Sequence, residues 1–503
     1  MVRYVLSFLV LLILGYGSPA MGASAENASP KEDYYELHKV LVDALDQVDR
    51  YYVKEVDRRE LVEAAIEGIL EKLDPYSAYI KPKDMPEFRT TVEAEFGGIG
   101  IQISVDDGKL KVISPLVGTP AYRAGVIAGD HIVEIDGKDT KGISLTEAVR
   151  RLKGKAGTKV SLTVVHPDSK KRVKLDIARE IIHVETVLGD LRKEDDSWNY
   201  FIKPEEHIGY IRITGFSRST ARELRKVLED LKKDGIRALI LDLRFNPGGL
   251  LNSAIEISDL FVSQGRIVST KGRSSPERAW EAEKEGTFEG FPMAVLVNRY
   301  SASASEIVSA CLQDHKRAVV IGERTWGKGS VQNVIDLEGG KSLLKLTTAS
   351  YCRPNGKNIH RFQDAKDGEE WGVTPGEGFR IRLGDAEIVT LMRVRRERDI
   401  VKPHLSKEDE SDPPDDKSTN GDATDGDATN GNAANDDLPG DDSAKPDRDA
   451  TEGSGASEKP EKPEKLEKPE KPEEPEKSED PPFIDRQLQK AIEYLSGELA
   501  RRK

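Results

Sequence analysis

Three times between residues 208 and 321 a short apolar run of β character gives way, across a turn of small residues, to a longer stretch of helical periodicity. No other feature limits the fold as much. Residues 208–213, 238–243 and 294–297 read as strands, 219–233, 250–262 and 303–313 as the helices that follow them, and 318–321 as a further strand. Such alternation implies an α/β core with its sheet covered on at least one face.

The rest of the chain is organised around that core. Within 31–88, apolar residues at helical spacing (Leu37, Val40, Leu41, then Leu61, Ala65, Ile69) predict two amphipathic helices ending near Asp74-Pro75. An apolar stripe of this kind is expected to be intrachain core. Runs at 99–105, 110–113, 131–135, 160–165 and 173–177, broken by Gly, Asp and Pro turns, predict a compact β-rich domain with one helix at 144–152. Between Leu405 and Asp480 there are 26 acidic against 10 basic residues, and Lys-Pro-Glu repeats follow an Asp/Asn/Gly/Ser/Thr mixture. Such a segment cannot bury a core and is expected to be disordered. Helical spacing resumes through Leu488, Ile492, Leu495 and Leu499, which predicts a terminal helix docked on the body.

The fold class expected is therefore α+β and multidomain. It comprises a leader (1–25), an N-terminal helical region (26–93), the β-rich domain (94–180), the α/β core (181–404), the acidic, Pro-rich linker (405–480) and the terminal helix (481–503). The leader combines Arg3, an apolar run from Tyr4 to Leu14 and the small residues Ala23-Ser24-Ala25, the order of a secretory signal peptide. An exported protein is expected, periplasmic or otherwise extracytoplasmic; retention of the leader would leave it membrane-associated. The acidic tail accounts for the whole of the net charge of −14, so the remainder is near neutral, which argues against nucleic acid as a partner. Two cysteines, Cys311 and Cys352, cannot build a four-ligand zinc site or a disulfide framework, and read as small core residues or as one bridge.

Three segments carry the residues for chemistry. In Asp242-Leu243-Arg244-Phe245-Asn246-Pro247-Gly248-Gly249 the paired glycines open the backbone so that amides at a helix N-terminus can approach an anion, although a tight strand-to-helix turn needs the same residues. In Ser301-Ala302-Ser303-Ala304-Ser305-Glu306 small residues surround serines at a strand-to-helix transition, which suits an exposed nucleophile and equally an ordinary N-cap. Gly322 to Lys328 resembles a phosphate-binding P-loop at first sight. Gly329 stands where the Mg²⁺-binding hydroxyl is needed, however, and extended structure follows instead of a helix. Lys328, with Gln332 four residues on, suits a buried amine held by an amide side chain, although taken alone it reads equally as a solvated surface lysine. The histidines form no H-E-x-x-H pair and no Gly-x-Ser-x-Gly elbow accompanies them. No cofactor and no metal is expected.

Taken together and in this order, these segments resemble the carboxy-terminal processing peptidases, or tail-specific proteases. Leu73-Asp74-Pro75-Tyr76-Ser77-Ala78-Tyr79 is similar to the family's N-terminal segment, and Phe96-Gly97-Gly98-Ile99-Gly100 to the carboxylate-binding loop of its PDZ domain. Gly118-Thr119-Pro120-Ala121 and Gly129-Asp130 are also PDZ-like. Phe245 stands where the family more often has Asn.

The resemblance implies a crotonase- or Clp-protease-like core and a serine endopeptidase acting through an acyl-enzyme. Ser303 would be the nucleophile, Lys328 the general base and Gln332 its orienting amide, with the Gly249 and Ala304 amides as oxyanion donors. The amides of Gly97 to Gly100 would receive a substrate's terminal carboxylate. Arg179, by its place at the junction of the PDZ-like domain and the core, would either relay docking to Lys328 and Gln332 or be an exposed junction arginine. Implied partners are proteins or peptides with a free apolar C-terminus, with an adaptor protein and a homodimer left open. Two other readings compete: a catalytically silent PDZ scaffold that binds C-terminal tails, and an acyl-CoA enzyme using a similar oxyanion loop.

Overall fold

The apolar runs of the core become neighbouring strands of one sheet. Ile208–Ile213, Ala238–Asp242, Met293–Val297 and Val319–Gly322 pair in parallel in that order. Val187–Leu188 and Phe201–Lys203 pair antiparallel with the Ile208–Ile213 strand. This is the computed structural model of the chain, and it describes residues 34–167, 171–274, 276–362, 365–366, 368–401 and 483–502. The leader and the acidic linker lie outside the described residues. The described residues 34–401 and 485–502 belong to one compact unit, whose architecture this is.

Alternate side chains of the parallel strands enter two different cores, because successive Cβ atoms point to opposite faces. On one face Ile211, Ile213, Leu239, Leu241 and Val295 pack with Leu224, Ile257 and Val308 from the helices Thr220–Lys233, Leu251–Asp259 and Ala304–Asp314. On the other, Tyr210, Ile240, Ala294 and Leu296 meet Ala491, Leu495 and Leu499 of the terminal helix Arg486–Arg501. Burial of each leucine contributes about 2 kcal/mol. The sequence required cover on one face; both are covered.

A buried ion network fixes the terminal helix to the strand that leads into the glycine loop. Asp242 accepts from Arg244 Nη2 at 2.7 Å, Arg395 Nη2 at 3.0 Å and Tyr210 Oη at 2.6 Å. Arg244 also donates to both carboxylate oxygens of Asp485, each at 2.9 Å, and to Gln487 Oε1 at 3.1 Å. Two buried guanidinium groups thus share two carboxylates, and the arginines hold the Asp242 carboxyl far below the usual range against its burial. Asp485→Ala leaves Arg244 buried with one of its two carboxylate partners gone. We expect a loss of about 3 kcal/mol in urea unfolding, and a variant as stable as the parent contradicts the network's role.

A second, antiparallel sheet was only partly foreseen. The hairpin of Ser330–Leu337 and Ser342–Cys352 is extended through its second strand, which pairs with Ala78–Ile80 from the N-terminal region at 343–345 and with Arg266–Lys271 at 350–352; Arg266–Lys271 pairs in turn with Arg278–Glu281. Helix Asp385–Asp399 is also absent from the sequence reading. Its mixed charge hides the face that buries Ile388, Leu391 and Arg395.

In the β-rich domain, strands Ile101–Asp106, Lys109–Pro115, His131–Ile135, Lys159–Val165 and Arg172–Ala178 form one sheet around Ile99, Leu110, Val112, Ile132 and Leu162. Helix Leu145–Leu152 starts at Ser144, whose Oγ accepts from Glu147 N at 3.2 Å. The N-terminal helices Tyr34–Tyr51 and Arg58–Glu71 form where the periodicity places them. The apolar residues of the first are not core: Leu37, Val40 and Leu41 are 43–66% exposed, because no described residue packs over them. No helix among the described residues is long and apolar enough to cross a membrane.

Candidate active site

Ser303 precedes helix Ala304–Asp314 with φ 57° and ψ −115°, a backbone conformation that costs a non-glycine residue about 1–3 kcal/mol. Small neighbours make the turn tolerable, and the surrounding hydrogen bonds determine it. Ala302 N donates to Asn246 O at 3.1 Å and Ser305 Oγ to the same carbonyl at 2.9 Å. Ser301 Oγ donates to Leu243 O at 2.8 Å. Ser303 is 5% exposed, and its Oγ lies 3.4 Å from Tyr351 Oη.

The glycine loop is packed against this turn. Asn246 is buried, donates from Nδ2 to Ile213 O at 2.8 Å and accepts from Gly248 N at 2.8 Å. A Cβ on Gly248 would stand 2.8 Å from Ser303 Cβ and 2.9 Å from Ala304 N, so only glycine lets the loop approach the nucleophile turn this closely. Among the described residues no backbone hydrogen bond occupies the amide of Gly249 or of Ala304. Phe245 stacks on Tyr300, with centroids 5.7 Å apart, and its amide donates to Asn298 Oδ1.

One carboxylate joins the serine turn to the lysine loop. Glu306 is fully buried and accepts four hydrogen bonds: from Ser303 N at 2.8 Å, Lys328 N at 2.8 Å, Gly327 N at 2.7 Å and Thr325 Oγ1 at 2.5 Å. Burial pushes its carboxyl up and these four donors pull it down, burial prevailing. The sequence reading gave Glu306 no role. Its position three residues after Ser303 was the available signal, since Ser-x-x-Glu is a capping-box spacing.

The side chains of Ser303 and Lys328 are not hydrogen-bonded to each other. Among the described residues there is no hydrogen bond between Ser303 Oγ and Lys328 Nζ; the ammonium lies over the ring of Tyr76, 4.8 Å from its centroid. Burial lowers the Lys328 pKa, helped by Lys345, while Glu306 and Asp74 oppose the shift. Gln332, expected to orient this amine, instead donates to Ser330 Oγ at 2.8 Å and Thr347 Oγ1 at 3.2 Å. Tyr351 and Tyr76 were not singled out as functional, because both reach the site from segments remote in sequence. Cys311 and Cys352 are free thiols, and burial pushes Cys311 up to about 12.

Phe96, Gly97 and Gly98 lie on the strand Glu95–Gly98, paired with Glu180–His183; Ile99 is buried and Gly100 has φ 78°. Beyond them the Ile101–Asp106 strand runs along the edge of its sheet, beside helix Leu145–Leu152. Arg179 is neither an exposed junction residue nor in contact with Lys328 and Gln332. It is 8% exposed and donates to the carbonyls of Leu152, Lys159 and Arg151 at 2.8–3.0 Å, within its own domain. These bonds brace the turn whose Gly154 N donates to Gly97 O at 3.1 Å. A cavity of about 870 Å³ extends from Val92, just before this loop, to Leu250, Trp280, Gln332 and Thr348 in the core.

Residues 207–375 match the profile of Peptidase family S41, 112–165 that of a PDZ domain, and 18–83 that of the activating protease CtpB N-terminal domain. The carboxy-terminal-processing protease of Bartonella bacilliformis is 36% identical over 415 residues, covering 79% of this chain and 90% of the relative. The carboxy-terminal processing protease CtpA of Bacillus subtilis is 37% identical over 359 residues, covering 71% of this chain and 72% of the relative. Among solved structures, a photosystem II D1 C-terminal processing protease aligns with a TM-score of 0.39 at 27% identity, over 72% of this chain and 97% of that one. These matches define a serine peptidase that carries a PDZ domain. The chain belongs to the carboxy-terminal processing proteases of peptidase family S41.

Proposed function

We propose that the chain is an exported endopeptidase that captures proteins by their C-termini and hydrolyses them through a Ser303/Lys328 dyad. The observation that carries this reading is the Glu306 carboxylate, which binds the amides of both Ser303 and Lys328 and so makes one rigid unit of the serine turn and the lysine loop. In the reaction Ser303 Oγ attacks the scissile carbonyl as Lys328 Nζ takes its proton. The unoccupied amides of Gly249 and Ala304 receive the oxyanion, and the lysine returns the proton to the leaving amine. Water then attacks the acyl-enzyme in the reverse sense. The base must be neutral, and desolvation of Lys328 works in that direction. Its rotation away from Tyr76 and towards Ser303 precedes attack, and Gln332 is the amide nearest in sequence to steady it there.

Capture uses the free edge of strand Ile101–Asp106. An extended peptide adds to that edge with its last side chain against helix Leu145–Leu152 and its carboxylate at the Gly97–Gly100 amides. The cavity from Val92 to Gln332 also borders Leu250, next to Gly249, and the bound chain would cross it towards the core. The same reading takes the core as crotonase- or Clp-protease-like and leaves an adaptor or a second copy of the chain as partners; the silent scaffold is not favoured.

Incubation of an unstructured polypeptide ending in an apolar residue tests this. The parent enzyme cleaves it and Ser303→Ala does not; cleavage by Ser303→Ala would refute the nucleophile. Amidation of the substrate's C-terminus removes a charge-assisted set of hydrogen bonds, so KM rises about tenfold or more. An unchanged KM removes the PDZ domain from substrate selection.

A further inference from the structure

The resting place of Lys328 is built by the N-terminal region. Asp74 accepts from Tyr76 N at 2.7 Å, from Ser77 N at 2.9 Å and from Ser77 Oγ at 2.8 Å, so the tyrosine sits in a closed turn. That turn is fastened to the hairpin that carries Gln332. Thr347 N donates to Ser77 Oγ at 3.1 Å, Ala78–Ile80 pairs with Leu343–Lys345, and Arg59 and Tyr79 both reach Glu338. Trp326, two residues before Lys328, donates from Nε1 to Tyr76 Oη at 3.5 Å. The turn that presents the ring is therefore fastened in place, and the ammonium lies on the ring's face. Among the described residues, Lys328 Nζ has no hydrogen bond or ion pair.

An aromatic face attracts a cation and has no such attraction for a neutral amine. A lysine resting there is held in the protonated form, which cannot act as a base, while Ser303 Oγ is paired with Tyr351. We propose that Tyr76 is a positioning residue for the catalytic lysine: it parks Lys328 as an ammonium away from Ser303, so that the N-terminal segment sets the basal rate of hydrolysis. The inference rests on the Ser303/Lys328 reading.

The charged and titratable groups around the amine come from several elements. Lys345 on the hairpin disfavours its charge, whereas Glu306 on the nucleophile helix and Asp74 in the N-terminal turn favour it. His360, whose own pKa burial lowers, senses the same Asp74. All of these stay in place when only the ring is changed.

Tyr76→Leu removes the aromatic face, and Tyr76→Phe keeps it. Without the ring the ammonium loses stabilisation and the lysine pKa falls. The acid limb of kcat/KM then moves to lower pH by about half to one and a half units. Hydrolysis of a C-terminally amidated peptide, which reports the unengaged enzyme, rises about fivefold. Tyr76→Phe behaves as the parent in both readouts, and Tyr76→Met provides a second ring-free variant if the leucine protein does not fold. An unshifted acid limb with a parental basal rate in the ring-free variants overturns the proposal, as does a Tyr76→Phe protein shifted as far as Tyr76→Leu. Lys328→Met, assayed alongside, separates the two readings. If it retains activity the dyad itself is wrong; if it is inactive while Tyr76→Leu matches the parent, only the role of Tyr76 is lost.

Discussion

Lys328→Met lowers turnover of a C-terminally free, apolar-ended peptide by about 10³-fold while leaving KM within severalfold of the parent. The size follows from the two tasks given to one amine, accepting the serine proton and protonating the leaving group, each a general acid–base contribution of about 10²–10⁴ that a thioether cannot supply. Folding is not the cause, because the ammonium is half-buried and carries a desolvation cost that methionine avoids. The urea midpoint of the variant is therefore equal to or above that of the parent. In the parent, kcat/KM rises with pH as Lys328 deprotonates, through a value that burial and Lys345 hold below the ordinary lysine range. Turnover in Lys328→Met within tenfold of the parent, or a parental acid limb at or above the ordinary lysine pKa, contradicts this assignment.

Glu306→Ala produces the second large effect, and here stability and activity fall together. The substitution strands the amides of Ser303, Gly327 and Lys328 and the Thr325 hydroxyl in a fully buried space. Each unpaired donor costs about 1–3 kcal/mol, so the protein loses about 4 kcal/mol or more in chemical denaturation unless water enters the gap. Ser303 also loses the bond that opposes relaxation of its positive φ, and kcat falls about 10²-fold or more. Gln at this position does not rescue, because its NH₂ would face donors. Parental stability together with parental kcat in Glu306→Ala would show that the shared carboxylate is not what joins the two loops.

The parallel core was legible because both of its faces are buried, and the apolar runs 238–241 and 294–297, each bounded by a turn of small residues, read as buried strands. The β-rich strands were legible from alternation broken by turn residues. Helix Asp385–Asp399 was not, since its buried Arg395 owes its place to Asp242, and pairing between remote charges leaves no periodic trace. In the site, the glycine, serine and lysine loops could be located from their small residues at strand ends. Sequence could not show that Ser303 and Lys328 have other partners than each other. Those partners are Tyr351, on the far strand of a hairpin, and Tyr76, in a turn closed by its own Asp74. Nor could sequence show where Arg179 is held: it stands at the end of the β-rich domain, and three carbonyls of that domain bind its guanidinium.

The dyad is tested most directly by trapping the covalent intermediate. Parent enzyme is quenched in acid during turnover of an activated peptide ester, digested and mapped by mass spectrometry. One acylated residue is expected, Ser303, with no acyl adduct accumulating in Lys328→Met over the same interval. Acylation at another residue, or the same adduct forming at the parental rate without Lys328, would contradict it.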